Sequence, residues 1–253
     1  MSEEVFYRIA LAGVFVAAAA TALALVFVTA PYGRHARSGW GPGIPSALGW
    51  LIMESPAALV VAVLFVAAER PAGAPAVAFL AMWEAHYAYR AFAYPFLRRG
   101  GRRSMPLSVV VMAIAFNAWN GYLNGRCLFS LCPARDASWL ADPRFVVGAA
   151  LFVAGMWINR RSDATLRSLR APGETGYRIP RGGLFEYVSS PNYLGELVEW
   201  VGWAIATWSL AGLAFAVFTA ANLLPRAVSH HRWYRGRFPE YPEDRRAVIP
   251  FLL

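Results

Sequence analysis

Apolar positions along this chain gather into long blocks. Seven of them can cross a bilayer as helices: residues 5–30, 44–68, 74–97, 106–126, 143–160, 192–209 and 211–229. A hydrocarbon core of roughly 30 Å needs about 20 mostly apolar residues in one helix. The last two blocks are separated only by Ser209 to Ala211, a spacing that predicts a tight hairpin between antiparallel helices. An odd number of crossings puts the termini on opposite sides. Glu3 and Glu4 precede the first block, which is also too long for the h-region of a signal peptide. With no internal repeat or low-complexity stretch, the expectation is one all-α integral membrane domain over residues 1–253 with seven transmembrane helices.

Composition agrees. The chain is 58% hydrophobic and 15% charged, against roughly 25% charged in a soluble domain. Such a composition excludes both a soluble globular and a disordered chain. The net charge of +9 does not imply a nucleic-acid partner, because the basic residues lie in short blocks between apolar runs. All 24 basic side chains are Arg. Without Lys there is no Walker-A lysine and no retinal or pyridoxal Schiff base. Eighteen of the arginines fall in four alternate segments, 31–43, 98–106, 160–181 and 226–246. Short Arg-rich loops stay in the cytoplasm, so the N-terminus is expected outside and the C-terminus inside.

An ionisable side chain within a span costs several kcal/mol unless it faces a cavity or a partner. Glu54, Glu84, His86, Arg90, Glu196 and Glu199 are such residues. Glu54 precedes Pro56, which frees backbone carbonyls, and either pairs with Arg90 for structure or faces a cavity. Trp83, Tyr87, Arg90 and Tyr94 recur at helical spacing. An aromatic interface belt and a binding face both produce such a stripe. Asn159, Asp163, Arg167 and Arg170 share another face, suited to ribose and phosphate or to a solvated helix with internal salt bridges. The following segment has turn signals at Pro172-Gly173 and Gly182-Gly183 and is expected to fold over the cytoplasmic side. Asn192, Glu196 and Glu199 run down the sixth block, where Gly195 permits close backbone approach. Arg226, His230, Trp233 and Arg237, beside Tyr234, form either a ligand face or a basic tail on anionic lipid.

Missing motifs narrow the chemistry. No GxGxxG follows a strand and no HExxH occurs, so a nucleotide needs a non-Rossmann site and no metal site is expected. Cys127 and Cys132 read as ordinary apolar residues, with a local bridge open to them in an oxidising compartment.

The stretch from about 155 to 253, from GMWINRRSDATLRSLRAPGETGYRIPRGGLFEYVSSPNYLGELVEW to HHRWYRGRFPEYPEDRRAVIPFLL, resembles the C-terminal domain of steroid 5α-reductases. YGRH (32–35), the Glu54 segment, HYAYRAFAY (86–94) and FNAWNG (116–121) extend the resemblance over nearly the whole chain. The resemblance implies a seven-helix membrane reductase that uses NADPH on a 3-oxo-Δ4-steroid or a similar apolar enone, with hydride to C5 and a proton to C4. Glu54 and Tyr87 would contact the 3-keto oxygen. NADPH would be bound by Asn159, Asp163, Arg170, Tyr177, Asn192, Glu196, Arg226, His230 and Tyr234, with Arg90, Tyr94 and Arg103 as further contacts. Trp50, Phe116, Trp200, Phe215 and Phe218 would line the steroid pocket. Residues 1–126 would carry the carbonyl site and 143–253 the NADPH site. Met53 departs from the resemblance, since the family usually has Gln there.

The chemistry also follows from elementary considerations. Hydride addition to an enone moves negative charge to the carbonyl oxygen, so donors aimed there favour the transition state. A carboxyl shielded from water favours its neutral, donating form. Ketosteroid isomerase, an unrelated enzyme, pairs such an acid with a tyrosine. Sterol C14-type reductases and isoprenylcysteine-type methyltransferases using S-adenosylmethionine share an Asn-Tyr-x-Gly-Glu segment. The methyltransferases usually have His before its proline, where this chain has Ser189-Ser190-Pro191-Asn192. A seven-helix channel or receptor is the non-enzymatic alternative. The surrounding lipid is the only partner expected besides substrate and cofactor, with no obligatory protein partner. Abundant Ala and Arg without Lys point to a GC-rich bacterial genome, hence to an inner membrane, with the endoplasmic reticulum as its eukaryotic counterpart.

Overall fold

The computed structural model describes residues 1–97, 104–171, 174 and 176–253. Among them run the long helices α1 (Glu3–Phe27), α2 (Ser46–Val66), α3 (Ala74–Tyr87), α4 (Leu107–Arg126), α5 (Pro143–Ser168), α6 (Pro191–Thr207) and α7 (Leu210–Arg237). α3 continues through a π-helical stretch, Ala88–Ala93, and a last turn, Tyr94–Leu97, so the rod fills its apolar block. By length and composition, α1, α2 and α7 are long and apolar enough to cross a membrane.

Local chemistry sets the helix ends. Asp142 accepts from the Arg144 amide at 2.9 Å and Pro143 opens α5, a side-chain cap followed by a residue that needs no donor. Trp208 closes α6 in the left-handed region (φ 47°), and Ser209 accepts from Gly212 N at 3.0 Å to open α7. This is the hairpin expected from the spacing. α5 and α7 outrun their apolar blocks into NRRSDATLRS and SHHRWYRGR. A hydropathy count stops at the first charges, while Arg, Ala and Leu go on favouring helix.

Two expectations need correction. The chain is not purely α-helical: Gly43–Pro45 and Ser104–Pro106 pair antiparallel, with Ile44 opposite Met105. Three residues are too few to show a strand period. Cys127 and Cys132 are not ordinary apolar residues but a disulfide. The π-helical turn Cys127–Leu131 brings their Cα atoms to 4.6 Å, within bridging range.

The core is aromatic. Trp83, Trp200, Trp203, Phe79 and Phe152 are almost wholly buried, and indole N–H groups find acceptors on other helices. Trp83 Nε1 donates to the Ala57 carbonyl at 2.9 Å, and Trp203 Nε1 to Asn124 Oδ1 at 2.9 Å. Glycines bring the α5 and α6 backbones into direct contact. The segment before α6 is tied to the C-terminal tail, where Arg246 N donates to Tyr187 O and Ser189 N to Arg246 O, both at 2.8 Å. It thus stays at one end of the bundle and does not cross it. Pro172 and Gly173 lie outside the described residues. At the opposite end Glu3 of α1 pairs with Arg126 of α4 at 2.6 Å, close to the disulfide.

Candidate active site

A cavity of about 880 Å³ lies among the C-terminal parts of α1, α3 and α5, the N-terminal parts of α2, α4 and α6, and α7 from Phe215 to Tyr234. Trp50, Phe116, Trp200, Phe215 and Phe218 all line it. Phe116 stacks on Phe218 with centroids 3.7 Å apart, and Trp200 lies 4.2 Å from Phe215, so the wall is a continuous apolar surface.

Glu54 and Tyr87 line the same cavity. The Tyr87 ring is 2% exposed and held by Trp83 and Trp200, at centroid distances of 5.1 and 6.1 Å. Trp83 is fully buried, so this stripe faces protein rather than forming a lipid belt. Arg90 pairs with Asp163 at 3.8 Å and Glu196 at 3.6 Å, and its guanidinium lies over Trp50 and Tyr94. No such ion pair joins it to Glu54 among the described residues; the Glu54 carboxyl is met instead by the Asn117 amide at 3.4 Å.

Of the residues expected to hold a dinucleotide, Arg90, Tyr94, Asp163, Arg170, Tyr177, Asn192, Glu196, Arg226, His230 and Tyr234 line this cavity. Arg170 Nε donates to Gly176 O at 2.8 Å and its guanidinium covers Tyr177. Arg226 donates to the Tyr193 hydroxyl at 2.9 Å, and His230 stacks against both Tyr193 and His35. Arg226, His230 and Tyr234 of the α7 face are therefore turned to the cavity, whereas Trp233 and Arg237 are not among the lining residues and Arg237 is exposed. Asn159 is placed differently from the rest: off the lining, it donates to Asn192 O at 2.9 Å and braces α5 on the start of α6. Arg103 lies outside the described residues.

Several lining residues carry no expected role. Arg34 of the 31–43 loop lies over Tyr177, Trp233 and Tyr234, and burial with the neighbouring Arg34, Arg226 and Arg37 pushes His35 down to about 4. His35 is thus neutral at pH 7. The only signal for this loop was YGRH itself. The α6 polar stripe divides: Glu196 faces the cavity, while Glu199, fully buried, bonds His86 Nδ1 at 2.8 Å. Glu84 is not among the lining residues.

Apolar helices surrounding a cavity that joins an aromatic wall to a wall rich in arginine define a helical membrane protein with an amphipathic cavity. Residues 103–253 match the family model described as 3-oxo-5-alpha-steroid 4-dehydrogenase. The chain is 48% identical over 233 residues to 3-oxo-5-alpha-steroid 4-dehydrogenase 1 of Bos taurus, covering 90% of each chain. It is 42% identical over 255 residues to steroid 5-alpha-reductase DET2 of Gossypium hirsutum, covering 99% of each, and 40% identical over 259 residues to that of Arabidopsis thaliana, covering 100% of this chain and 98% of the other. The chain belongs to the steroid 5α-reductase family.

Proposed function

We propose that this protein reduces the Δ4 double bond of 3-oxo-Δ4-steroids, or of a similar apolar enone lipid, with NADPH as reductant. The observation that carries this reading is the joining of Glu54, Tyr87, an aromatic wall and an arginine-rich mouth in one cavity of about 880 Å³. That volume lies near the top of the roughly 300–1,000 Å³ range of ligand pockets, suiting two ligands side by side.

The donor set fits a phosphorylated dinucleotide. Arg34, Arg167, Arg170, Arg178 and Arg226 line the cavity, a supply of cations for a diphosphate and a 2′-phosphate. Beyond its 3.6 Å ion contact with Arg90, Glu196 Oε2 is buried without a hydrogen bond and so can accept one from a carboxamide or hydroxyl. Asn192 and the rings of Tyr177 and Tyr234 complete the polar wall. Asn159 serves this site by holding the Asn192 backbone.

When bound, NADPH supplies the hydride that goes to C5 of the enone. The protein's own contribution is electrostatic. Glu54 in its neutral form and the Tyr87 hydroxyl donate to the 3-keto oxygen, where negative charge grows as the β-carbon is attacked, and the resulting enolate takes a solvent-derived proton at C4. Packing around Trp83, Trp200 and Phe215 excludes water from these donors and strengthens them.

We also propose seven spans within one domain, the N-terminus outside and the C-terminus cytoplasmic, in a bacterial inner membrane. The Cys127–Cys132 disulfide and the N-terminus share one end, which suits an oxidising side, and the arginine-lined mouth shares the other with the 226–246 segment. Residues 1–126 supply the carbonyl donors, and 143–253 supply most of the dinucleotide contacts.

Two measurements test the reading. Detergent-purified protein, assayed anaerobically with NADPH against a panel of 3-oxo-Δ4 compounds, should consume the cofactor only with an enone present. A methyltransferase or a channel would leave it untouched. Arg170→Ala is expected to weaken NADPH binding about tenfold by nicotinamide fluorescence quenching, the scale of one charge-assisted hydrogen bond. Unchanged affinity would move that phosphate contact to another arginine.

A further inference from the structure

Glu54 must present its acid proton to the ketone in one orientation, and the group that sets this orientation comes from another helix. Asn117, on α4, is 8% exposed and lines the cavity. Its amide nitrogen donates to the Met53 carbonyl at 2.6 Å and reaches Glu54 Oε2 at 3.4 Å. A carboxamide NH2 has two hydrogens, so both contacts are made at once. The first anchors the amide on the α2 backbone; the second aims it at the carboxyl. Among the described residues no other group donates a hydrogen bond to Glu54. Met53 shares the cavity wall with it, and a thioether is a weak acceptor that donates nothing. Of the two neighbours of Glu54 on α2, Met53 has no donor and the Ser55 hydroxyl donates to the Leu51 carbonyl, so α4 supplies the amide.

A neutral carboxyl has one carbonyl-type oxygen and one hydroxyl. An N–H pointing at Oε2 makes Oε2 the acceptor and leaves Oε1 to carry the proton. We propose that Asn117 is a positioning residue: it fixes the rotamer of Glu54 and assigns the donated proton to Oε1. This inference rests on the reading of Glu54 as a ketone donor and says what makes that donor competent. Asn117 acts through Glu54 and requires no contact with the substrate.

The test is a set of variants assayed for enone reduction, with NADPH affinity and Tm as checks on folding. Asn117→Leu keeps the bulk and removes both donors. It is expected to lower kcat about tenfold while enone KM and NADPH affinity stay within about twofold, since misalignment of a donor acts where charge develops. Asn117→Ala adds no bulk and carries the same expectation should the leucine fail to pack. Adding Met53→Gln to either variant places a carboxamide on the same cavity wall, and kcat is expected to recover several-fold. A loss that Met53→Gln leaves untouched, with KM rising in step, is that of a packing residue and overturns the inference. Wild-type kcat in Asn117→Leu beside an impaired Glu54→Gln overturns it alone. Wild-type kcat in Glu54→Gln overturns the reading of Glu54 itself.

Discussion

Tyr87→Phe is expected to lower kcat for enone reduction by about 10²–10³-fold, the usual loss when one donor is removed from a site of developing negative charge, and Glu54→Gln, which exchanges an acid for a weakly donating amide, by about tenfold or more. The phenylalanine variant deletes a single oxygen and keeps the ring contacts with Trp83 and Trp200. Its fold, Tm and NADPH affinity should therefore match the parent. Glutamine keeps an oxygen to accept from Asn117 and puts an amide N–H, a far weaker acid, in place of the carboxyl proton. Both donors serve one oxygen, so the double variant should fall well short of the product of the two losses. Near-parental rates in both single variants would remove the pair from the mechanism while leaving the family membership in place.

A second large effect is expected far from the chemistry. A Cβ built on Gly155 would lie 2.3 Å from Glu199 N and 2.5 Å from Gly195 O, and one on Gly195 would lie 2.4 Å from Asn159 N. These obstacles are backbone atoms, which no rotamer change moves aside. Close helix contact through small residues is how membrane helices gain packing energy where no hydrophobic force drives them together. Gly155→Val forces α5 and α6 apart and is expected to cost roughly 3 kcal/mol or more. The separation also pulls Asp163 on α5 away from Glu196 on α6, both of which Arg90 engages, so NADPH affinity should fall along with Tm. A Gly155→Val protein with parental Tm in detergent would show that the two helices need not touch.

The helical blocks were legible because twenty-odd apolar residues in a row have few other uses. Charges set against that background drew attention to Glu54, Arg90 and Glu196. The resemblance then placed Tyr87 and the arginines of α5 and α7, and the cavity gathers them. What stayed hidden has a common cause. Asn117 is one of three buried asparagines on α4, with Asn120 and Asn124, and nothing in that row singles out the one that meets Glu54 from 63 positions away. The Arg34 and His35 loop lacks any repeat, and its partners on α7 come from the other end of the chain. The strand pair is three residues long, and the cysteine bridge depends on a π-helical turn that composition does not encode. Asn159 shares a helical face with Asp163, yet closeness to α6 turns its amide to the Asn192 carbonyl.

The central claim is that one cavity brings a ketone-gripping acid and phenol against a nicotinamide. The most direct measurement is isotopic: purified protein is given a 3-oxo-Δ4-steroid and NADPH deuterated at the transferring position, and the product is read by mass spectrometry and NMR. One deuterium at C5, a solvent-derived hydrogen at C4, and loss of this product in Tyr87→Phe are the expected results. Oxidation of NADPH without deuterium in the steroid, or C5 labelling at the parental rate in Tyr87→Phe, would contradict the account.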